Sequence, residues 1–182
     1  DNLQFNHSGG SFTNFYYDLI YNILFSIKKV LNIKRSFLSN KQLYNTQDTI
    51  NVDYVSGANL FIKKNTFLNI NGFSNDYFMY SEDVDLQKRL FDKKHYSYLI
   101  KGPLITHLEG KSFAISSTRR TMMDISKAKY YRKFYGYYYY LVYKNVLIIL
   151  GLISIITDLY YKQYNVKMNL LYVSNFFKNK YF

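Results

Sequence analysis

The sequence predicts an α/β layer of short strands and helices over Asn51–His107, with an amphipathic helix before it and a helical tail after it. Three observations carry that reading. Strand-like and helix-like stretches alternate across the layer. Residues Phe12–Leu31 place apolar side chains at three-and-four spacing. Beyond Ser117 the pattern turns basic and then continuously apolar, with no strand signal. A chain of 182 residues holds one domain with a sizeable core plus an appendage. It divides into an N-terminal helix and loop (1–50), the layer (51–116) and the tail (117–182).

In order, Phe12, Phe15, Leu19, Ile23, Ile27 and Leu31 define the stripe of the first helix, and Lys28 and Lys29 suit its negative C-terminal end. Ser39–Thr49 is a polar connection. Val52, Tyr54, Ala58, Leu60 and Ile62 share one face of a strand, and Gly57 inside it marks a bulge or a close backbone approach. Lys64–Ile70 is a short helix ended by Asn71–Gly72. Ser81 is a suitable N-cap for a helix over Glu82–Lys94, whose acids fall in its first turn. Tyr96–Ile100 and Leu104–His107 are short strands around Gly102–Pro103. Ser117–Tyr135 is a basic helix closed by Gly136, and Tyr137–Tyr164 is an apolar helix interrupted by Lys144 and Asn145. Its unbroken stretch Val146–Thr157 falls short of the roughly 20 residues a bilayer span needs, and being apolar all round it calls for cover by protein, a partner chain or a membrane interface.

Lys and Arg number 24 against 12 acids, a net charge of +12, which favours phosphates, acidic headgroups or other polyanions as partners. A Lys-, Asn-, Ile- and Tyr-rich coding background accounts for scattered lysines equally well. Aromatics make up 20% of the chain, 22 of them Tyr, and suit sugar stacking, interfaces or plain cores. With no Cys, disulfide frameworks and thiolate metal sites are excluded. Asp1 is not an initiator Met and no signal pattern opens the chain, so it reads as a late segment of something longer.

Chemistry concentrates at Asn71–Leu90, where Asp76, Glu82, Asp83 and Asp85 crowd beside the aromatic run Tyr77–Phe78–Met79–Tyr80. On a helical wheel Asp83 shares the inward stripe with Leu86 and Leu90, whereas Asp85 lies four residues before Arg89, where an exposed ion pair explains it. On spacing alone, stabilisation by the helix dipole accounts for Glu82 and Asp83 as well as a functional role does. A carboxylate at the edge of an apolar stripe is nonetheless placed to take a proton from a hydroxyl.

Six motifs in order resemble the glycosyltransferase family 2 enzymes of the GT-A fold, of the rhamnosyltransferase-like kind. They are Gly57–Ala58, Asn71–Gly72–Phe73–Ser74, Tyr77–Tyr80, Glu82–Leu86, Arg89–Leu90, and the loop with His107, Gly110 and Ser112. The likeness is firm over Val52–Ser112 and looser through Tyr130–Gly136. It implies the acceptor-side C-terminal half of a Rossmann-like GT-A domain followed by a helical tail. It further implies inverting transfer from a nucleotide-sugar donor to a hydroxyl of a glycan or lipid-linked acceptor, in cell-surface polysaccharide synthesis.

By the same resemblance Asp83 is the catalytic base, with Glu82 positioning the acceptor. Gly57, Ala58, Tyr80, Lys111 and Ser112 would bind substrate, and His107 would complete a Mg²⁺ or Mn²⁺ site. Without the motif, a lone His such as His107 is more often structural. His7 and His95 read as surface residues. The pattern departs at Asn71, Ser74 and Lys94. No Asp-x-Asp precedes the matching region, so most of the metal site and the nucleobase pocket would belong to the missing donor-binding half, and this segment alone would be inactive.

Arg119, Arg120, Lys127, Lys129, Arg132 and Lys133 crowd before the apolar helix, which suits an anionic membrane surface as well as a solvated face. The expected setting is therefore cytoplasmic, peripheral at the inner face of the cell membrane, with a homodimer through the tail as a further expected partnership. Two other classes compete. A non-catalytic membrane or dimerisation module would be built around Val146–Thr157. A nucleic-acid-binding module is less favoured, since the charge is not gathered on an aromatic sheet motif and Asp83 and His107 would have no role.

Overall fold

The structure is a computed structural model that describes residues 9–33, 49–100, 116–161 and 165–178. These fall into two compact units. The first gathers 9–12, 49–75 and 81–100, and the second 13–33, 76–80, 116–161 and 165–178. The described residues are mostly helical, and their strands pair only two by two, both times antiparallel.

In the first unit β1 (Gly9–Gly10) pairs with β3 (Tyr54–Val55), and β2 (Ile50–Val52) pairs with β4 (Ser97–Leu99) with Val52 opposite Ser97. The single strand expected over Val52–Ile62 is thus broken at Asp53 and ends at Val55. Two bonds bend the chain at Asp53: its N–H donates to the Gly10 carbonyl at 3.0 Å, and its Oδ2 accepts the Phe12 N–H at 2.8 Å. A 3-10 turn, Gly57–Asn59, then replaces extended chain.

Helix α2 (Lys64–Leu68) follows and stops where Asn71 and Gly72 take left-handed φ of 59° and 60°. Asn and Gly are the residues that tolerate this region. Helix α3 (Glu82–Asp92) turns Leu86 and Leu90 inward onto Ile70, with Leu60, Ile62 and Phe67 packed around them. Each such fully buried leucine contributes about 1.5–3 kcal/mol. The helix ends two residues before Lys94, which itself holds a left-handed φ of 65° while the His95 N–H returns to the Leu90 carbonyl. Lys94 does in strained form what a helix-ending Gly does freely.

The second unit is a helical bundle of α1 (Phe15–Val30), α4 (Ser116–Phe134), α5 (Tyr137–Tyr160) and α6 (Val166–Phe177). Asn14 caps α1 by accepting the Tyr17 N–H at 3.0 Å. Helices α1 and α5 run parallel: Phe15 packs edge-on against Tyr139, Lys29 pairs with Asp158 at 2.7 Å, and the Tyr161 hydroxyl donates to the Val30 carbonyl. Helix α6 returns along α5, and its approach requires Gly151, where an added Cβ would lie 2.6 Å from Val173. The sequence pattern did not suggest α6, because apolar residues run through it without a clear polar face.

Helix α5 runs straight through Lys144 and Asn145 for 24 residues. Lys144 lies over the Tyr140 ring at 5.7 Å, so the cation that interrupts the apolar pattern is accommodated on the helix's own surface. By length and composition α5 is therefore long and apolar enough to cross a membrane. The aromatic stretch 76–80 also belongs to this unit: Met79 accepts the Ser126 hydroxyl, and Asp76 takes Lys129 on its carbonyl and Lys133 on its carboxylate.

Candidate functional site

The first turn of α3 and the 3-10 turn Gly57–Asn59 face each other in the first unit. Asp83 is half-buried, and its Oδ2 accepts the Gly57 N–H at 2.8 Å while Oδ1 accepts the Val84 N–H at 2.8 Å. A Cβ at position 57 would stand 3.4 Å from that of Asp83, at van der Waals contact, so the turn and the first turn of α3 are closely apposed. Each carboxylate oxygen retains a lone pair beyond the one its N–H donor uses. The group is thus oriented and still able to accept a hydroxyl proton.

Glu82, next to it, has one oxygen, Oε2, buried with no hydrogen-bond partner among the described residues. Its pKa is raised, chiefly by burial and further by the neighbouring Asp83 charge, against a lowering contribution from its own backbone N–H. A buried acceptor without a donor costs about 1–3 kcal/mol, and a ligand hydroxyl would relieve it. Asn59 Oδ1, on the facing turn, is in the same condition.

What holds the two turns together is Gln87, one turn along from Asp83. Its side chain acts as a strand neighbour for Val55, accepting the Val55 N–H at 2.7 Å and donating to the Val55 carbonyl at 2.7 Å. The same amide also donates to the Asp83 carbonyl, and its oxygen accepts the Ser97 hydroxyl. A buried amide so fully occupied fixes Gly57 against Asp83. Sequence reasoning missed it, although the i, i+4 spacing from Asp83 on the inward stripe was there to be read.

Asp85 is a correction. Expected as one end of an exposed pair, it is fully buried at 0% exposure, with Arg89 Nε at 2.8 Å. The Arg89 fork then donates to the Ile70 and Gly72 carbonyls, both at 2.6 Å, and so ties the Asn71–Gly72 turn to α3. Ser81 is a second correction. It sits at the N-cap position, yet with φ 65° its side chain makes no cap bond, and Tyr80 before it is left-handed too, at φ 70°. Two consecutive non-glycine residues in that region are strained, a condition that clusters at functional sites.

Of the site residues the sequence pointed to, the structure brings Asp83, Glu82, Gly57 and Ala58 together. Tyr80 belongs to the stretch that packs with the helical unit. His107, Lys111 and Ser112, with the loop between them, lie outside the described residues, as do the expected strand Leu104–His107 and His7. His95 is exposed, as a surface residue should be. Among the described residues no three His, Asp or Glu side chains converge to hold a metal. These residues do not by themselves fit a Mg²⁺ or Mn²⁺ ion.

Comparison with known proteins points to the same stretch. A family model described as the N-terminal domain of galactosyltransferase matches residues 42–111. Rhamnosyltransferase WbbL of Escherichia coli (strain K12) is 35% identical over 66 residues, which is 36% of this chain and 24% of that protein. No solved structure matches the chain. The family model over the motif-bearing region and the likeness to a rhamnosyltransferase support a glycosyltransferase family for this chain, whose match spans about a quarter of the length of the curated relative.

Proposed function

We propose that this chain is the acceptor-side part of an inverting glycosyltransferase of family 2, with the Rossmann-like GT-A fold, acting in cell-surface polysaccharide synthesis with a hexosyl or rhamnosyl donor. Asp83 removes the proton from an acceptor hydroxyl as that oxygen attacks the anomeric carbon of a nucleotide sugar. The new C–O bond forms on the face opposite the leaving nucleoside diphosphate, and the proton stays on the carboxylate. Glu82 takes a second acceptor hydroxyl on its unpartnered oxygen. In this reading a divalent ion, His107, Lys111 and Ser112 act on the donor side, outside the described residues. The acceptor is a glycan or lipid-linked sugar met at the inner face of the cell membrane.

The observation that carries the reading is the Asp83 carboxylate, oriented by the Gly57 N–H within the segment that the family model matches. The rhamnosyltransferase relative supports the donor class. In a protein that includes the donor-binding half, Asp83→Asn should lower transfer about 100- to 10,000-fold, the usual contribution of a general base, with nucleotide-sugar affinity unchanged. Transfer at a comparable rate would remove Asp83 from the role. Loss of donor affinity in parallel would make it a binding residue.

A further inference from the structure

Helix α1 is inside out. Beyond Phe15, which is buried among the rings of Tyr131, Tyr139 and Tyr143, the residues it turns into the bundle are polar: Asp18 accepts the Tyr131 hydroxyl and pairs with Lys127 at 3.0 Å, Asn22 donates to the Tyr143 hydroxyl at 3.4 Å, Ser26 is buried, and Lys29 pairs with Asp158. Those four positions form one i, i+3/i+4 stripe. The rest of the circumference is exposed and apolar, with Ile20 at 56% and Leu24 and Ile27 each at 46%. Tyr17, Tyr21 and Phe25 add an outward ladder of stacked rings.

Helix α5 repeats the inversion. Its first half buries Tyr140, Tyr143 and Leu147, but its second half buries Gly151, Ser154, Thr157 and Asp158, the last at 0% exposure and held also by Asn169, while Ile149, Leu152, Ile156 and Leu159 face out. Water selects the opposite arrangement. Small and polar residues at helix contacts with aliphatic side chains outside are what a hydrocarbon surround selects.

We propose that the outer faces of α1 and α5 are a lipid-contacting surface, seated at the headgroup–acyl boundary of a bilayer. This deepens the location given above, by hydrocarbon contact rather than by charge alone. A second copy of the chain is the weaker occupant, since one partner covers one side of a helix and α1 is apolar around most of its circumference. Tyrosines at both ends of α5, Tyr137 and Tyr138 against Tyr160 and Tyr161, mark the two polar limits of the apolar stripe.

The basic helix α4 packs on α5 through Tyr131 and Tyr143 and cannot enter hydrocarbon, so the pair lies along the boundary. Much of the charge on α4 is already engaged: Arg120 with Asp124, Lys127 with Asp18, Lys133 with Asp76, and Arg132 over Tyr137. Headgroup attraction is therefore the lesser part of the binding.

The test is flotation of the chain with vesicles of pure phosphatidylcholine and of phosphatidylcholine mixed with phosphatidylglycerol, each at low and at molar salt. Binding to the neutral vesicles that survives molar salt is expected, and the double variant Leu24→Glu/Ile156→Glu should weaken it about tenfold or more. Binding to anionic vesicles alone, abolished by salt, would overturn the proposal in favour of the basic helix. So would a chain that ignores both vesicles, whether monomeric or a soluble dimer by sedimentation.

Because the chain has no Trp, a single Ile156→Trp in otherwise unaltered protein gives a second reading. Its fluorescence should be quenched by acyl-brominated phosphatidylcholine, and an unquenched signal on bound protein would also overturn the proposal. Vesicle binding needs no sugar donor, so its failure leaves the role of Asp83 standing. Conversely, Asp83→Asn should bind vesicles as the parent chain does.

Discussion

Helices α3 and α1 carry comparable hydrophobic periodicity and put it to opposite use. In α3 the apolar stripe of Leu86 and Leu90 goes inward onto Ile70, and the polar residues that share its buried side, Asp85 and Gln87, are fully bonded. In α1, beyond the buried Phe15, the polar stripe goes inward and most apolar residues go out. Periodicity shows that a helix has two faces. Which face is buried depends on what the neighbours offer: α3 meets aliphatic side chains, whereas α1 meets the hydroxyls and charges of Tyr131, Tyr143, Lys127 and Asp158.

The sharpest way to break this comparison is the same substitution in both helices. Leu86→Asp places an unpaired carboxylate at a position with 0% exposure and should cost about 4 kcal/mol or more, enough to unfold the first unit in chemical denaturation. Leu24→Asp, on the outer face of α1, should change stability in water by no more than about 0.5 kcal/mol. Equal costs would mean that α1 is covered by protein.

Gln87→Leu comes next. It keeps volume but leaves both polar groups of Val55 without their partner, at about 2–3 kcal/mol in urea melts. Because Gly57 loses its register against Asp83, the proposed transfer, assayed in a protein that includes the donor-binding half, should fall further than stability alone predicts.

In the second unit Asp124 supplies a pH test. Burial pushes its carboxyl up from about 3.8, against the Tyr172 hydrogen bond and the Arg120 and Lys127 charges that pull it down, with Asp18 adding to the rise. The folded state therefore holds that proton more tightly than the unfolded chain does. Its contribution to stability is full below about pH 3.8 and is lost as pH rises through the higher folded value. Asp124→Asn, which keeps an acceptor for Tyr172, should flatten that decline in thermal melts compared across acid to neutral pH; an unchanged slope would show that Asp124 is not its source. The smallest effect belongs to Lys94→Gly, which relieves the left-handed φ of 65° and should raise stability by about 0.5–1 kcal/mol.

Much of the first unit was legible before any coordinates. The helices expected over Lys64–Ile70 and Glu82–Lys94, each two residues shorter at its C-terminal end in the structure, the Asn71–Gly72 stop and a close approach at Gly57 all follow from local residue chemistry. The strand Val52–Ile62 was overread, because apolar alternation cannot reveal that Asp53 gives its hydrogen bonds to the Gly10–Phe12 stretch, far away in sequence. Asp85 was misplaced for a related reason. An i, i+4 acid–base pair looks the same whether it is wet or dry, and only the tertiary position of the Ile70 and Gly72 carbonyls draws Arg89, and Asp85 with it, inward. The inside-out arrangement of α1 was invisible, since the partners of Asp18 and Lys29 lie on α4 and α5, more than a hundred residues on.

Two clamps on α3 have a last consequence. Gln87 grips Val55 on one side of the helix, and Arg89 grips the Ile70–Gly72 turn on another. Together they block torque about the helix axis, so the azimuth of the Asp83 carboxylate is set by the scaffold rather than by whatever binds. In the role proposed for Asp83, changes in acceptor preference would be built in the surrounding turns, with its carboxylate oxygens as the stationary reference against which new substrates are aligned.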